Sequence, residues 1–517
     1  MKKSLLLVCS YAFTFFPSLA WPGDSLPNIV YILADDFGYG DTSCYNPESK
    51  ITTPHIDRVA REGMRFTDAH TPSSVCSPTR YGILTGRYCW RTRLKERVLD
   101  GFDPPLIEKG QVTVPSLLKQ RGYDTACVGK WHLGMNWTDK KGQAVPWIPP
   151  AEKKRPRAGR DVDYSVAVTG GPIAVGFDRY FGISASLNMP PFCFIKDDRP
   201  LHLPVFDQAR IATDFVSVDE GLRSPDFTIT AVMPRLAGEA VAVIESQAKD
   251  RPDRPLFLYA PLTSPHLPLA PNVEYRGSSQ AGEYGDFVVE TDAFVGAVLD
   301  ALDRTGMAAN TLLVFTSDNG GLYHWWEAKE TDDLKHYQPT KRGEYVKDFG
   351  HQGNIHLRGT KADIWEGGHR VPLVVRWPGK TPAGTSSDEL VELTDLLATC
   401  AAITGAELPA GAGEDSRNIL PALLGEKTEK PLREYAVHHS LWGMFAIRKG
   451  DWKMVEQRGS GGFTRPRVID PAKEGGPVGQ LYNLREDPSE TRNLWDEKPQ
   501  TVKELSQLLE KVKGEDA

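Results

Sequence analysis

The chain is poor in cysteine, with seven in 517 residues. None is spaced C-x-x-C, so no zinc site of that pattern is encoded. Beyond the first twenty residues no apolar run approaches the ~20 residues that span a bilayer, so no membrane span is expected. A basic excess is also missing. Lys and Arg number 61 against 68 Asp and Glu, for a net charge of −7, which argues against general nucleic-acid binding. No internal repeat is apparent. What is present is an ordinary globular balance, 40% hydrophobic and 25% charged, which excludes disorder as the main state. The length allows up to about three domains of ~150 residues, or one large domain and a small one. With 47 Gly and 39 Pro, loops are abundant, and loops carry function.

The first twenty residues read as an export signal. Lys2 and Lys3 supply the positive start, Leu5 to Phe16 the apolar stretch, and Ser18-Leu19-Ala20 a small-x-small cleavage site. Cleavage after about Ala20 and a periplasmic or secreted location are expected. Val8 before Cys9 does not suit lipidation. Export permits disulfides among Cys44, Cys76, Cys89, Cys127, Cys193 and Cys400, though their irregular spacing assigns no pairing and a disulfide scaffold is unnecessary at this length.

Four short apolar runs end abruptly in polar residues. Asn28 to Ala34 runs into Asp35-Asp36, Thr125 to Val128 into Gly129-Lys130-Trp131-His132, Leu256 to Ala260 into Thr263-Ser264-Pro265-His266, and Leu312 to Phe315 into Ser317-Asp318-Asn319. Runs of this length read as buried strands. Between them Asp286 to Leu302 carries apolar residues at helical spacing. Alternation of this kind implies an α/β fold with a large, mixed, mostly parallel sheet sandwiched by helices. Ligands gather beyond the carboxyl ends of such strands, so all four polar ends are expected at one edge. The catalytic domain is expected over 24–405. Residues 404–430 read as a connection. A smaller α+β subdomain is expected over 430–517, with a small antiparallel sheet and a terminal helix through Val502, Leu505, Leu508, Leu509 and Val512.

Each Asp pair or Asp-Asn pair follows a strand, so three carboxylates and an amide oxygen (Asp35, Asp36, Asp318, Asn319) can converge. These are hard donors suited to Ca²⁺ or Mg²⁺. The decisive segment is Cys76-Ser77-Pro78-Thr79-Arg80, continuing to Leu84-Thr85-Gly86-Arg87. It resembles the type I sulfatase signature C-x-P-x-R with its T-G-R box, and Pro78 suits the first turn of a helix that opens near Cys76. Further boxes that match are Gly129-Lys130-Trp131-His132-Leu133-Gly134, Ser264-Pro265-His266, Gly359-Thr360-Lys361 before Glu366-Gly367-Gly368, and, near the C-terminus, Ala446 to Lys453 and Leu481 to Leu484.

That resemblance implies an alkaline-phosphatase-like fold and a sulfuric ester hydrolase in which Cys76 is oxidised to Cα-formylglycine (3-oxoalanine) by a formylglycine-generating or sulfatase-maturating enzyme. A plain thiol would be left as a stable thiosulfate ester, whereas an aldehyde hydrate has one hydroxyl to attack sulfur and a second whose deprotonation expels sulfate. The resemblance places Asp35, Asp36, Asp318 and Asn319, with modified Cys76, around a divalent cation, Ca²⁺ by family habit, although sequence does not separate it from Mg²⁺. It assigns Arg80 to the hydrate, Lys130 and Lys361 to sulfate oxygens, His266 (with Lys361) to the leaving alcohol, His132 to the second hydroxyl, and Asp318 to the nucleophile's proton.

The expected substrate is a sulfated carbohydrate or aryl sulfate. The long polar, aromatic stretch from Gly321 to Gly359 is expected to form the pocket rim, with His324, Trp325, Trp326, His336, Tyr337 and His351 as candidates and Asn188 as a further one. The basic run Lys153-Lys154-Arg155-Arg157-Arg160 reads as a solvated face. Two other readings stay open: a phosphonate or phosphodiester hydrolase with the same nucleophile, and a non-catalytic glycan-binding homologue.

Overall fold

The computed structural model describes residues 25–149, 152, 157–212, 217–322 and 349–514. The export signal, most of the basic run and His324, Trp325, Trp326, His336 and Tyr337 lie outside the described residues. None of the described residues forms a helix long and apolar enough to cross a membrane. The six described cysteines are all free thiols.

A ten-stranded sheet organises the fold. Its strands are β1 (Asn28–Asp35), β2 (Met64–Phe66), β3 (Asp124–Lys130), β4 (Arg179–Ile183), β5 (Ile195–Lys196), β6 (Arg199–Pro200), β7 (Leu256–Pro265), β8 (Thr311–Ser317), β9 (Leu373–Arg376) and β10 (Thr385–Ser387). Their order across the sheet is β10-β2-β9-β8-β1-β7-β3-β4-β5-β6. The central five, β8-β1-β7-β3-β4, run parallel, and antiparallel pairs begin at β9 and β5. The sheet is therefore mixed and mostly parallel.

Period-two alternation explains the two helix layers. In β1 the side chains of Ile29, Tyr31 and Leu33 enter one core, while Val30, Ile32 and Ala34 enter the other. On the first face pack α2 (Cys76–Thr85), α3 (Val114–Gln120) and α6 (Leu396–Thr404). On the second pack α1 (Pro54–Glu62), α4 (Val232–Asp250) and α5 (Gly282–Thr305). Being buried on both faces, the central strands read as continuous apolar runs.

Register aligns the chemistry. Asp35 of β1 pairs with Pro265 of β7, and Ala34 with Ser317 of β8. Asp35, Asp36, His266, Asp318, Asn319 and Lys130 thus leave the sheet at one edge. Gly129 is required there: its φ is +146°, and a Cβ would stand 1.8 Å from the Pro261 carbonyl.

The C-terminal region carries a separate antiparallel sheet, β11 (Ala436–His439), β12 (Phe445–Lys449), β13 (Trp452–Val455) and β14 (Gln480–Asn483), in that order. One face holds α7 (Pro499–Gly514) together with Tyr88 and Trp90, and the other packs on Ile364 and Trp365 of the large domain. A buried polar tie joins the two sheets. Lys453 reaches Glu490 at 2.9 Å, Glu366 at 3.1 Å and His369 Nε2 at 3.0 Å. One consistent set of tautomers continues the chain: His369 Nδ1–H donates to His70 Nδ1 (3.1 Å), and His70 Nε2–H to Asp68 (2.9 Å). His70, His369 and His438 place ring nitrogens within 4.8 Å of one another. However, His369 and His438 stack at 3.9 Å and 10°, so their lone pairs run parallel rather than converge, and Lys453 stands against the outer nitrogen of His369. Burial holds all three imidazoles below their ordinary pKa, neutral at pH 7. The group is a polar tie, not an ion cage.

Lys453→Met should therefore strand two buried carboxylates and cost roughly 3–5 kcal/mol. A shift in the urea midpoint measures this, with exposed Lys449→Met, expected within about 0.5 kcal/mol, as the comparison. Equal shifts for the two variants would contradict the tie.

Candidate active site

The position of Cys76 is set by a helix start. Val75 is extended and Cys76 opens α2, so the first-turn backbone N–H groups face the sheet edge and favour an anion there. Pro78 lies in that first turn. Gly86, at φ +64°, ends the helix and its N–H bonds the Gly82 carbonyl, which explains the glycine of the T-G-R box. Cys76 is buried, and burial pushes its thiol up to about 12, with Lys130 and Lys361 opposing, so it is not a ready thiolate.

Around Cys76 stand three carboxyl groups, of Asp35, Asp36 and Asp318, and three basic side chains, of Arg80, Lys130 and Lys361, all buried. Asp35 Oδ1 lies 3.5 Å from Cys76 Sγ, and Lys361 Nζ lies 3.6 Å from it. Lys130 Nζ meets Asp35 Oδ2 at 2.5 Å, and Lys361 Nζ meets Asp36 Oδ1 at 2.6 Å. Arg80 clamps Asp318 Oδ2 through Nε (2.9 Å) and a terminal nitrogen (2.8 Å), and its other terminal nitrogen donates to the Lys130 carbonyl (2.8 Å). Burial opposes ionisation of Asp35, but Lys130, His266, Arg80 and Lys361 together hold it well below the carboxylate range. Asp318 goes the other way, raised by burial and by the charge of Asp35. Burial would lower Lys361, yet Asp36 raises it, so the ammonium stays charged.

The same group offers a hard-cation site. Asp35, Asp36, Cys76 and His266 place donor atoms within 4.8 Å of one another. Asp36 is held at φ +66°, a costly conformation for a residue with a Cβ, and its N–H donates to Asp318 Oδ1. Asn319 Nδ2 donates to Asp36 Oδ1 (2.8 Å), while Asn319 Oδ1 is buried with no partner. An orphaned amide oxygen among three carboxylates fits a cation that takes oxygen ligands.

Both histidines have an assigned tautomer. His266 Nδ1–H donates to the Leu267 carbonyl, so Nε2 faces Asp36 Oδ2 at 3.8 Å. Burial and Lys361 push His266 down to about 4. His132, at φ +56°, donates Nε2–H to the Leu99 carbonyl (2.7 Å), which leaves buried Nδ1 as an acceptor without a partner. Burial, Lys130 and Arg80 hold it well below its ordinary pKa.

Cys76, Arg80, Lys130, His132, His266, Lys361, Asp318, Asp35, Asp36 and Asn319 are thus gathered at one edge. Two other candidates are placed differently. His351 is buried, with Nε2 on Asp41 (2.8 Å) and Nδ1 accepting from the Lys50 backbone, so it braces the turn after Asp36 instead of lining a rim. Asn188 is half-buried, and its Oδ1 has no partner. Sequence reasoning missed Ser77 and Leu99. Ser77 Oγ accepts from the Leu99 N–H (3.2 Å), and the Leu99 carbonyl fixes His132. Ser77 fills the variable position of the motif and acts through a backbone peptide, so residue type gave no signal.

Comparison with known proteins agrees with this geometry. Residues 27–406 match the family described as sulfatase, and 360–515 match one described as N-sulphoglucosamine sulphohydrolase, C-terminal. An N-acetylgalactosamine-6-O-sulfatase of Bacteroides thetaiotaomicron is 32% identical over 94% of this chain and 93% of its own length. Arylsulfatase A of Bos taurus is 31% identical over 94% and 87%. A solved structure described under metabolism of multiple glycosaminoglycans by Bacteroides thetaiotaomicron superposes with a TM-score of 0.77 at 30% identity, over 95% of this chain and 100% of that one.

Removing divalent cations with EDTA should lower the thermal midpoint, and Ca²⁺ or Mg²⁺ should restore it. At ~100 times the dissociation constant the ion contributes about 2.7 kcal/mol. Asp36→Ala should abolish the response. A midpoint indifferent to EDTA and to added ions would count against the site.

Proposed function

Because the chain belongs to the sulfatase family and is a sulfuric ester hydrolase, we propose that it removes sulfate from a sulfated carbohydrate, using formylglycine derived from Cys76. The observation that carries this reading is Cys76 at a helix N-terminus, between Asp35 and Lys361, inside a cluster of three carboxylates and three cations. The 6-sulfate of N-acetylgalactosamine is the first substrate to test, because a relative covering nearly the whole chain is named for it.

In this reading Asp35, Asp36, Asp318, Asn319 and modified Cys76 would hold Ca²⁺ or Mg²⁺, which would polarise the sulfate and acidify the attacking hydroxyl. Formylglycine hydrate would supply that hydroxyl and a second one for sulfate release. Lys130 and Lys361 bind the sulfate oxygens and offset the charge that grows in the transition state. Arg80 holds the hydrate and orients Asp318, which accepts the nucleophile's proton. His266 presents Nε2 to the leaving oxygen. It is neutral in the free enzyme, and a bound sulfate ester, being anionic, favours its protonation, so that His266 and Lys361 together deliver a proton to the alcohol. His132 presents a bare Nδ1 to take the proton of the second hydroxyl. Export and a maturation enzyme that converts Cys76 complete the reading.

Peptide mass over Cys76 should show formylglycine, and the converted protein should release sulfate from N-acetylgalactosamine 6-sulfate and from an aryl sulfate faster than it cleaves an aryl phosphodiester. Cys76→Ala should lose at least about 10³-fold in kcat. Fully converted protein that releases no sulfate from any sulfated sugar or aryl ester would falsify the proposal. Ser77→Ala, normalised to its formylglycine content, should lower kcat roughly tenfold with KM nearly constant, because Leu99, whose carbonyl holds His132, loses the anchor of its own N–H. Ser77→Thr should retain activity. Equal kcat in all three proteins would remove Ser77 from the account.

A further inference from the structure

The turn that carries Asp36 is held by side chains. β1 and β8 run parallel until Ala34 faces Ser317, and the Asp318 N–H still donates to the Ala34 carbonyl (3.0 Å). Asp36 then takes φ +66°, which breaks the line of the strand. Three successive backbone N–H groups now go to side chains. That of Asp36 donates to Asp318 Oδ1 (3.3 Å), that of Phe37 to Ser317 Oγ (2.9 Å), and that of Gly38 to Asp41 Oδ2 (2.6 Å). The Asp36 carbonyl accepts from the Tyr284 hydroxyl (3.1 Å), which also donates to the Asp41 carboxylate. A left-handed residue with a Cβ is costly and persists only where its surroundings over-determine it. This set of contacts does so.

Ser317 and Tyr284 differ from the other members of the set in carrying no charge. The Ser317 hydroxyl, wholly buried, accepts from Phe37 and donates its own proton to the Asn319 carbonyl (2.8 Å). Phe37 follows Asp36 directly, so one hydroxyl clamps together the two backbone segments that present Asp36 and Asn319. The Asn319 Nδ2 contact with Asp36 Oδ1 (2.8 Å) joins the same two residues through their side chains. Tyr284, in the first turn of α5, holds Asp36 from the helix layer. A hard cation gains most from oxygens already fixed at ligating spacing. Groups behind the ligands therefore tune its affinity nearly as strongly as the ligands do.

We propose that Ser317 and Tyr284 are positioning residues for the divalent cation. Their hydroxyls fix the Asp36 turn against Asn319 and so set how tightly the ion binds. This rests on the reading of Asp35, Asp36, Asp318 and Asn319 as ligands of that cation.

The test is Ca²⁺ affinity, measured by calorimetry on wild-type, Ser317→Ala, Tyr284→Phe and Thr125→Ala proteins. Each is stripped with EDTA, dialysed free of chelator and matched in formylglycine content by peptide mass. Thr125 is also a buried sheet hydroxyl, bonded to the Gly176 carbonyl (2.9 Å) and to Asp178 (2.9 Å), but at the opposite end of β3 from Lys130. It reports what the loss of a buried hydroxyl does by itself. Ser317→Ala and Tyr284→Phe should each raise Kd about tenfold or more, and Thr125→Ala should stay within about twofold of wild type. Circular dichroism establishes that each variant is folded. Where Ser317→Ala fails to fold, Tyr284→Phe, which keeps the ring, decides alone. A Kd within about twofold of wild type in either folded variant, or equal weakening in Thr125→Ala, would overturn the positioning role. A wild-type protein that binds neither Ca²⁺ nor Mg²⁺ would instead overturn the cation site, and the inference with it.

Discussion

Six buried charges hold the rest of the molecule in place. Asp35, Asp36 and Asp318 face Arg80, Lys130 and Lys361, all essentially inaccessible to solvent. Taking any one of these ions out of water alone costs several kcal/mol, so the cluster is stable only while each member keeps its partner at close range. That requirement explains the scaffold around it. Parallel register brings four strand ends to one edge, Gly129 lets two strands approach, and Asp36 and His132 accept left-handed backbone to aim their groups. It also resolves the sign of the whole chain. A net charge of −7 is a sum over the whole chain, while at the site three carboxyl groups face three cationic side chains. Such a balanced site can take a divalent cation on its carboxylate side and an anionic ester on its ammonium side.

Much of this was legible in the sequence because it is local. The strand ends could be read from short apolar runs that stop at polar residues, and the four runs correspond to β1, β3, β7 and β8. The helix that opens at Cys76 followed from Pro78 and its box. What could not be read depends on partners far apart in the chain. His351 looks like a rim residue because its neighbours are polar, but its partner Asp41 stands 310 positions away. The outlying strands Met64–Phe66 and Ile195–Lys196, each next to an edge strand, are too short to carry a period.

The small C-terminal sheet is bound to the large domain through buried polar contacts. Its polar tie through Lys453, Glu366, Glu490 and the stacked histidines fixes its position against the large domain. Neutral histidines suit the tie, since imidazolium groups stacked beside Lys453 would repel it.

The charge balance itself is the claim most worth measuring. A crystal structure of the Cys76→Ser variant, which cannot carry formylglycine if only cysteine is converted, grown with Ca²⁺ and soaked with N-acetylgalactosamine 6-sulfate, would show both halves at once. The account predicts one cation among Asp35, Asp36, Asp318 and Asn319, with sulfate oxygens hydrogen-bonded to Lys130 and Lys361. Sulfate held elsewhere, or a cation bound without those four residues, would contradict it.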